Sequence, residues 1–150
     1  MNFQECDLGF TFKNSEVLVF FGKAYGDLEK VKSHFSTFEF YGVRQTHSDL
    51  IVQASSNFYQ ADAHWTSQSL KALFILTADC IPLFIYNRKM HIIAAIHAGW
   101  RGIENHIVLK SLKKIMTTTS QPEDFEIWIG PHILKNSFEV HCPSLPIHRM

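Results

Sequence analysis

The chain has 150 residues, with 14 basic and 14 acidic side chains and a formal net charge of zero. That length supports one domain with a real core and not two, and the balanced charge provides no general steering towards nucleic acid or an anionic membrane. Three cysteines, Cys6, Cys80 and Cys142, form an odd and widely spaced set, which argues against a disulfide framework and for a reducing, cytoplasmic setting.

The N-terminus carries acid rather than base and has no apolar run of the length a secretory signal needs. The longest apolar runs are broken by Asp79, Asn87 and His97, so none reaches a membrane span. Residues 16–21 are apolar and β-branched at Val17 and Val19, which predicts a buried strand. Asp27 is placed to cap a short helix with apolar positions at Leu28, Val31 and Phe35. A strand is expected at residues 50–52. Residues 72–76, 81–86 and 91–97 are near-continuous apolar runs, the pattern of strands covered on both faces. Pro82 lacks a backbone donor, which predicts an interrupted or edge strand there. From 103 to 116 the apolar positions recur as on one amphipathic helix, and residues 125–129 alternate as a half-buried strand. The tail from 141 to 150 holds two prolines and no periodicity.

Three short segments carry the chemistry. They are Gln45-Thr46-His47, Thr77-Ala78-Asp79-Cys80-Ile81-Pro82 and His97-Ala98-Gly99-Trp100-Arg101-Gly102. Two imidazoles and a thiolate, from His47, His97 and Cys80, make a three-point cage for a zinc-like cation, and three protein ligands leave the open position of a catalytic metal. Asp79 is a carboxylate at the edge of an apolar run, where it must be paired or used. It is a candidate proton shuttle, or a partner that orients one of the histidine ligands. Gly99 permits close approach of backbone and ligand. Trp100 offers a stacking surface, and Arg101 a planar fork for phosphate or carboxylate. The remaining histidines, including His64, His91 and His106, read as surface residues or satisfied core residues. His132, after Gly130-Pro131 at a strand end, is the most interesting of them.

In this order and spacing the segments resemble the YfiH/YlmD family, known both as laccase-like multicopper polyphenol oxidases and as purine nucleoside phosphorylases. The family's Gln-x-His-Gly, Thr-Ala-Asp-Cys-x-Pro and His-Ala-Gly-Trp-Arg-Gly segments match the three above. Ala61-Asp62-Ala63 with Thr66, Ile129-Gly130-Pro131-His132-Ile133 and Phe138-Glu139-Val140 resemble further family stretches. The resemblance implies a layered α/β/α sandwich around a mixed sheet, related to the catalytic fold of cytotoxic necrotising factor toxins. It implies a zinc site at His47, Cys80 and His97, with copper as the alternative metal. Catalysis would then involve Cys80, His97 and Asp79, with Arg101, Gly99, Trp100 and Gln45 binding substrate. The implied reaction is phosphorolysis of adenosine, inosine, guanosine and methylthioadenosine, with adenosine deamination as a second activity.

The chain departs from the family in five places, one of them a short N-terminal part in which the family's Thr-Arg-x-Gly-Gly segment is not recognisable. Ser48 replaces the usual glycine after the first histidine, His132 stands where many relatives carry cysteine or a small residue, and Phe138 replaces tyrosine. The family also continues well past its Glu-Val stretch, so a C-terminally shortened single domain is expected at 1–140, followed by an irregular tail at 141–150. Three other functions compete: a copper-dependent polyphenol oxidase, a metal-free Cys80–His97 hydrolase or deamidase, and an inactive remnant. No nucleic-acid or membrane partner is expected, and the oligomeric state is left open.

Overall fold

The computed structural model describes residues 2–23 and 27–140, and it also describes the backbone at 148–149. Strands β1 (Asn2–Cys6), β2 (Gly9–Lys13) and β3 (Leu18–Gly22) form an antiparallel meander. Helix α1 (Leu28–His34) follows, and the Asp27 carboxylate accepts from the Glu29 N–H at 2.9 Å, as its expected capping role requires. Strand β4 (Glu39–Tyr41) pairs in parallel with β7 (Lys71–Leu73). The central sheet contains β5 (Ile51–Gln53), β6 (Ala63–Thr66), β8 (Ile81–Asn87), β9 (Ile92–Ala98) and β10 (Phe125–Ile129). Its order is β10-β8-β9-β6-β5, antiparallel except for the β5–β6 pair. Helices α2 (Trp100–Glu104) and α3 (Ile107–Ile115) leave the end of β9. Glu139–Val140 and His148–Arg149 pair as β11 and β12. The rest of the expected tail, with His141 and Cys142, lies outside the described residues. No helix among the described residues is long and apolar enough to cross a membrane.

Two side-chain sets hold the mixed sheet between layers. On one face, α3 buries Ile107, Ser111 and Ile115, spaced four residues apart, against Ala63, Leu83, Ile85, Ala94, Ile96 and Ala98. The alanines of β9 let the helix approach the sheet closely. On the other face, the Phe21 ring of β3 packs on Phe84 of β8 at 5.5 Å between centroids. That ring also lies over Gly130, where a β-carbon would come within 2.2 Å of it. Phe35, at the end of α1, packs edge-on against Phe20 of the meander. Much of the phenylalanine content is thus used to join the N-terminal meander to α1 and to the central sheet. The α/β layering expected from the residues is the one observed.

Several local expectations are corrected. The helix expected over 103–116 is two helices. Asn105 ends α2 by donating from its side chain to the Arg101 carbonyl at 2.9 Å, and His106 takes a left-handed backbone, φ 62°, that turns the chain into α3. The strand expected over 72–76 stops at Leu73, because the Gln45 side chain takes both backbone groups of Leu76. Pro82 is on an inner strand rather than an edge strand. Its carbonyl accepts from the Gly130 N–H at 2.9 Å, so the missing N–H faces the same way, just past the last β10–β8 pair at Leu83. No ladder bond to β9 is lost. The hairpin β1–β2 and strand β6 had no expected counterpart.

His64 is neither a surface residue nor a satisfied one. It is fully buried on β6, and no partner of good geometry among the described residues meets its ring nitrogens. Burial, opposed by the Phe74 backbone, lowers its pKa from 6.5 to about 4. Above the ordinary value both folded and unfolded chains are neutral here. As the pH falls from 6.5 towards 4, only the unfolded chain takes up the proton, so stability is lost through that window. The expected loss is roughly 3 kcal/mol, at about 1.4 kcal/mol for each step of one pH unit across the window. Urea denaturation at several pH values checks it: a His64→Leu protein should show a flatter stability profile between neutrality and pH 4 than the parent, and identical slopes would contradict the assignment.

Candidate metal centre

His97 lies near the end of β9 and is almost fully buried. Cys80 stands immediately before β8 and is half-buried. His47 is in the exposed loop between β4 and β5, with a left-handed backbone at φ 57°. The structure brings these three side chains to one point. One ligand atom from each lies within 4.8 Å of the others. Cys80 Sγ is 3.8 Å from His47 Nε2, and the two imidazole rings meet nearly edge-on with centroids 4.9 Å apart. A tetrahedral zinc with ordinary Zn–N and Zn–S lengths separates its ligand atoms by about 3.5 Å, so the donor set suits such a cation in type and in spacing. Gly99 is packed directly beneath. A β-carbon there would stand 3.0 Å from His47 Cδ2 and 3.3 Å from Cys80 Sγ.

Burial pushes the Cys80 thiol above its ordinary pKa, and the charges of Asp79 and Asp62 push it further the same way. Both effects favour the thiol over the thiolate, and a bound cation would oppose them, since metal binding displaces the proton.

The other expected site residues are placed as follows. Gln45 donates from Nε2 to the Leu76 carbonyl at 2.7 Å and accepts from the Leu76 N–H at 2.8 Å. Its amide thus ties the His47 loop to the loop that leads to Cys80. Asp79 is exposed beside Cys80, and its carbonyl accepts from Ile133 N–H at 3.0 Å. With the Gly130–Pro82 bond, this straps the segment after β10 onto the cysteine loop. Trp100 and Arg101 open α2 and are both exposed, with the guanidinium 5.0 Å from the indole centroid. Among the described residues, no carboxylate pairs with Arg101. His132 belongs to the strap and bonds from Nδ1 to the Gly130 carbonyl at 2.8 Å. It is not one of the three converging residues.

Asp62 is the residue that reading of the motifs did not single out as part of the site. It is fully buried at the start of β6. Its carboxylate accepts the backbone N–H groups of Thr46 at 3.1 Å, His47 at 3.0 Å and Ser48 at 2.6 Å. It accepts the Ser48 hydroxyl at 2.7 Å and, more weakly, that of Thr46 at 3.4 Å. It also bonds His97 Nδ1 at 2.7 Å. Burial alone would raise its pKa, but the bonds from His97, Ser48 and Thr46 outweigh that and hold it below the usual carboxylate range. In the sequence Ala61-Asp62-Ala63 stood out only by its resemblance to a family stretch; the structure shows both alanines wholly buried, so the carboxylate between them has to be paired.

Comparison with known proteins places the chain in a family. The profile of the family described as "Multi-copper polyphenol oxidoreductase laccase" matches residues 5–145. A Clostridium acetobutylicum protein named purine nucleoside phosphorylase is 31% identical over 109 residues, covering 71% of this chain and 46% of the relative. A Bacteroides thetaiotaomicron protein of the same name is 41% identical over 98 residues, covering 61% and 36%. The crystal structure of a Neisseria meningitidis protein of the DUF152 family superposes with a TM-score of 0.66 at 28% identity, over 75% of this chain and 46% of that one. Bacillus licheniformis YfiH gives 0.64 at 26% identity, over 74% and 47%. The chain thus spans less than half the length of these relatives. With its profile match running through both histidine segments and the cysteine segment, the chain belongs to the YfiH-like family, the one described as multi-copper polyphenol oxidoreductase laccase.

Proposed function

We propose that this chain is a zinc-dependent purine nucleoside phosphorylase. It would convert adenosine, inosine, guanosine or methylthioadenosine, with phosphate, into the free base and the corresponding sugar 1-phosphate. The observation that carries this reading is the convergence of His47, Cys80 and His97 within 4.8 Å. Relatives named purine nucleoside phosphorylase supply the reaction class. Zinc held by the three residues would supply a localised positive charge and Lewis acidity at the reacting centre.

In phosphorolysis a phosphate oxygen bonds to C1′ as the C1′–N9 bond breaks, and the electron pair leaves with the purine, which takes up a proton. Arg101 is the proposed phosphate holder, being exposed, without a carboxylate partner among the described residues and planar enough for two parallel bonds. Trp100, about half exposed, offers its ring to the purine. Adenosine deamination, with water consumed and ammonia released at C6, is proposed as a second activity, with Asp79 carrying the proton to the leaving amine. A thiol ligand fits a reducing compartment, and the enzyme is accordingly assigned to the cytoplasm.

Copper-dependent phenol oxidation is the second reading. Two histidines and a cysteine also suit copper, and the family description names that chemistry. Oxygen reduction by a multicopper enzyme requires several metal positions, whereas the described residues contain one such ligand cluster.

The deciding experiment uses the purified chain, loaded with zinc or with copper. It is assayed for adenine release from adenosine with and without phosphate, for ammonia, and for oxidation of a phenolic dye. Phosphate-dependent adenine release with zinc is expected. Dye oxidation alone would replace the proposal with the oxidase reading, and a folded chain that takes up no metal and turns over nothing would mark an inactive remnant. Cys80→Ala, His47→Ala and His97→Ala should each lower both zinc uptake and turnover by at least about 100-fold, since each removes one of only three ligands.

Gly99→Ala gives a sharper check of the site itself. Gly99 has an ordinary backbone, φ −72°, so alanine introduces no backbone strain. Its methyl group would press on two ligands at once. The expected result is a slightly lower melting temperature, since Gly99 caps α2 and alanine is a poorer cap, with zinc affinity reduced by about 10- to 100-fold, the range seen when the support of a metal ligand is disturbed. Isothermal titration with zinc reads the effect.

A further inference from the structure

We propose that Asp62 is the positioning residue of this centre, setting the tautomer of His97 and the loop conformation of His47 with one carboxylate. The proposal rests on the reading of His47, Cys80 and His97 as a ligand set, but its first consequence is visible in the protein without metal.

An ionised carboxylate can only accept hydrogen bonds. Its 2.7 Å contact with His97 therefore places the ring proton on Nδ1 and leaves the Nε2 lone pair free. The same residue holds His97 a second way, because the His97 backbone N–H donates to the Asp62 carbonyl at 2.7 Å. Ring and main chain of one ligand are both fixed by one neighbour.

The other ligand is held through its backbone. Three successive N–H groups, from Thr46, His47 and Ser48, point at the Asp62 carboxylate. Such a concave run of amides is a nest for an anion. Here the anion is a side chain, and the nest holds His47 in the left-handed region, which is uncommon for non-glycine residues although histidine enters it more readily than most. Loss of those bonds would free that loop to relax. Ser48 adds to the arrangement in this chain. Its hydroxyl donates to Asp62 at 2.7 Å and accepts from the Leu50 N–H at 3.3 Å, which joins the nest to the start of β5. Cys80, the third ligand, has no bond to Asp62.

The variant that tests this is Asp62→Asn, which keeps the shape but cannot accept at both ends. Turned towards Thr46 and Ser48 its NH₂ group would oppose two backbone N–H groups, whereas towards His97 it opposes only that of His47, so it turns to His97 and donates to Nδ1. Two readouts are used. In the metal-free protein, long-range proton–nitrogen NMR of the His97 ring reports the tautomer. In the zinc titration, affinity is measured for the parent, Asp62→Asn and a Cys80→Ala control. The expected results are an Nδ1–H ring in the parent, loss of that single tautomer in Asp62→Asn, and a 10- to 100-fold weaker zinc affinity at an unchanged far-ultraviolet circular dichroism spectrum.

An Asp62→Asn protein with the parent's His97 tautomer and the parent's zinc affinity overturns the proposal. If Asp62→Asn does not fold, Ser48→Ala takes its place. That change removes the hydroxyl bonds and keeps the backbone restriction, and it should weaken zinc several-fold while leaving the His97 tautomer intact; zinc affinity equal to the parent's would overturn the role given to the nest. The ligand reading fails separately. It fails if Cys80→Ala binds zinc as tightly as the parent, whatever the tautomer measurement shows.

Discussion

Moving an ionised carboxylate out of water costs several kcal/mol unless hydrogen bonds replace the lost solvation. Asp62 is fully buried, and the replacement comes from Thr46, His47, Ser48 and His97. The loop that carries one histidine and the strand that carries the other are therefore joined through a group that cannot remain buried without both. This dependence runs in both directions. The carboxylate keeps the imidazoles in place, and their segments keep it ionised.

The scaffold beneath is arranged to hold those segments still. Strands β6 and β9 are adjacent and antiparallel, so Asp62 and His97 are brought side by side at one end of the sheet. Helix α3 grips β9 through the alanines of that strand, and Lys110 on the helix reaches Asp49 just past the nest. Gly102 in α2 lies against the Ser48 carbonyl, where a β-carbon would be 3.0 Å away. The small residues after His97 thus do more than clear space for a ligand, because they let the helix start press against the loop of the first histidine.

Legibility in the sequence divided along physical lines. Strands β8 and β9 were readable because their apolar runs reflect burial that any neighbour would impose; β10 was readable by its alternation, although Ile127 and Ile129 on that side are exposed among the described residues. The three metal-type ligands were readable because histidine and cysteine in short, glycine-rich segments carry chemistry with them. Asp62 was harder, since its function depends on donors fourteen or more residues away and on a ring across the sheet. The break at Asn105 and His106 was invisible to periodicity, because the apolar spacing continues across it while the backbone turns. The β1–β2 hairpin was missed although Phe10 and Phe12 alternate with Thr11 and Lys13; its two strands have five residues each, and its phenylalanines pack on one another across them, with Phe3 on Phe10 and Phe12.

The three ligands are not anchored alike. Both histidines are tied to the interior through Asp62, whereas the sulfur is moored to the margin of the sheet, through the carbonyls of Asp79 and Pro82 that hold Ile133 and Gly130 just beyond the edge strand β10. Among the described residues the imidazole pair therefore hangs on one carboxylate and the sulfur on main-chain bonds elsewhere, so a single substitution at Asp62 reaches two of the three converging side chains and leaves the moorings of the third untouched.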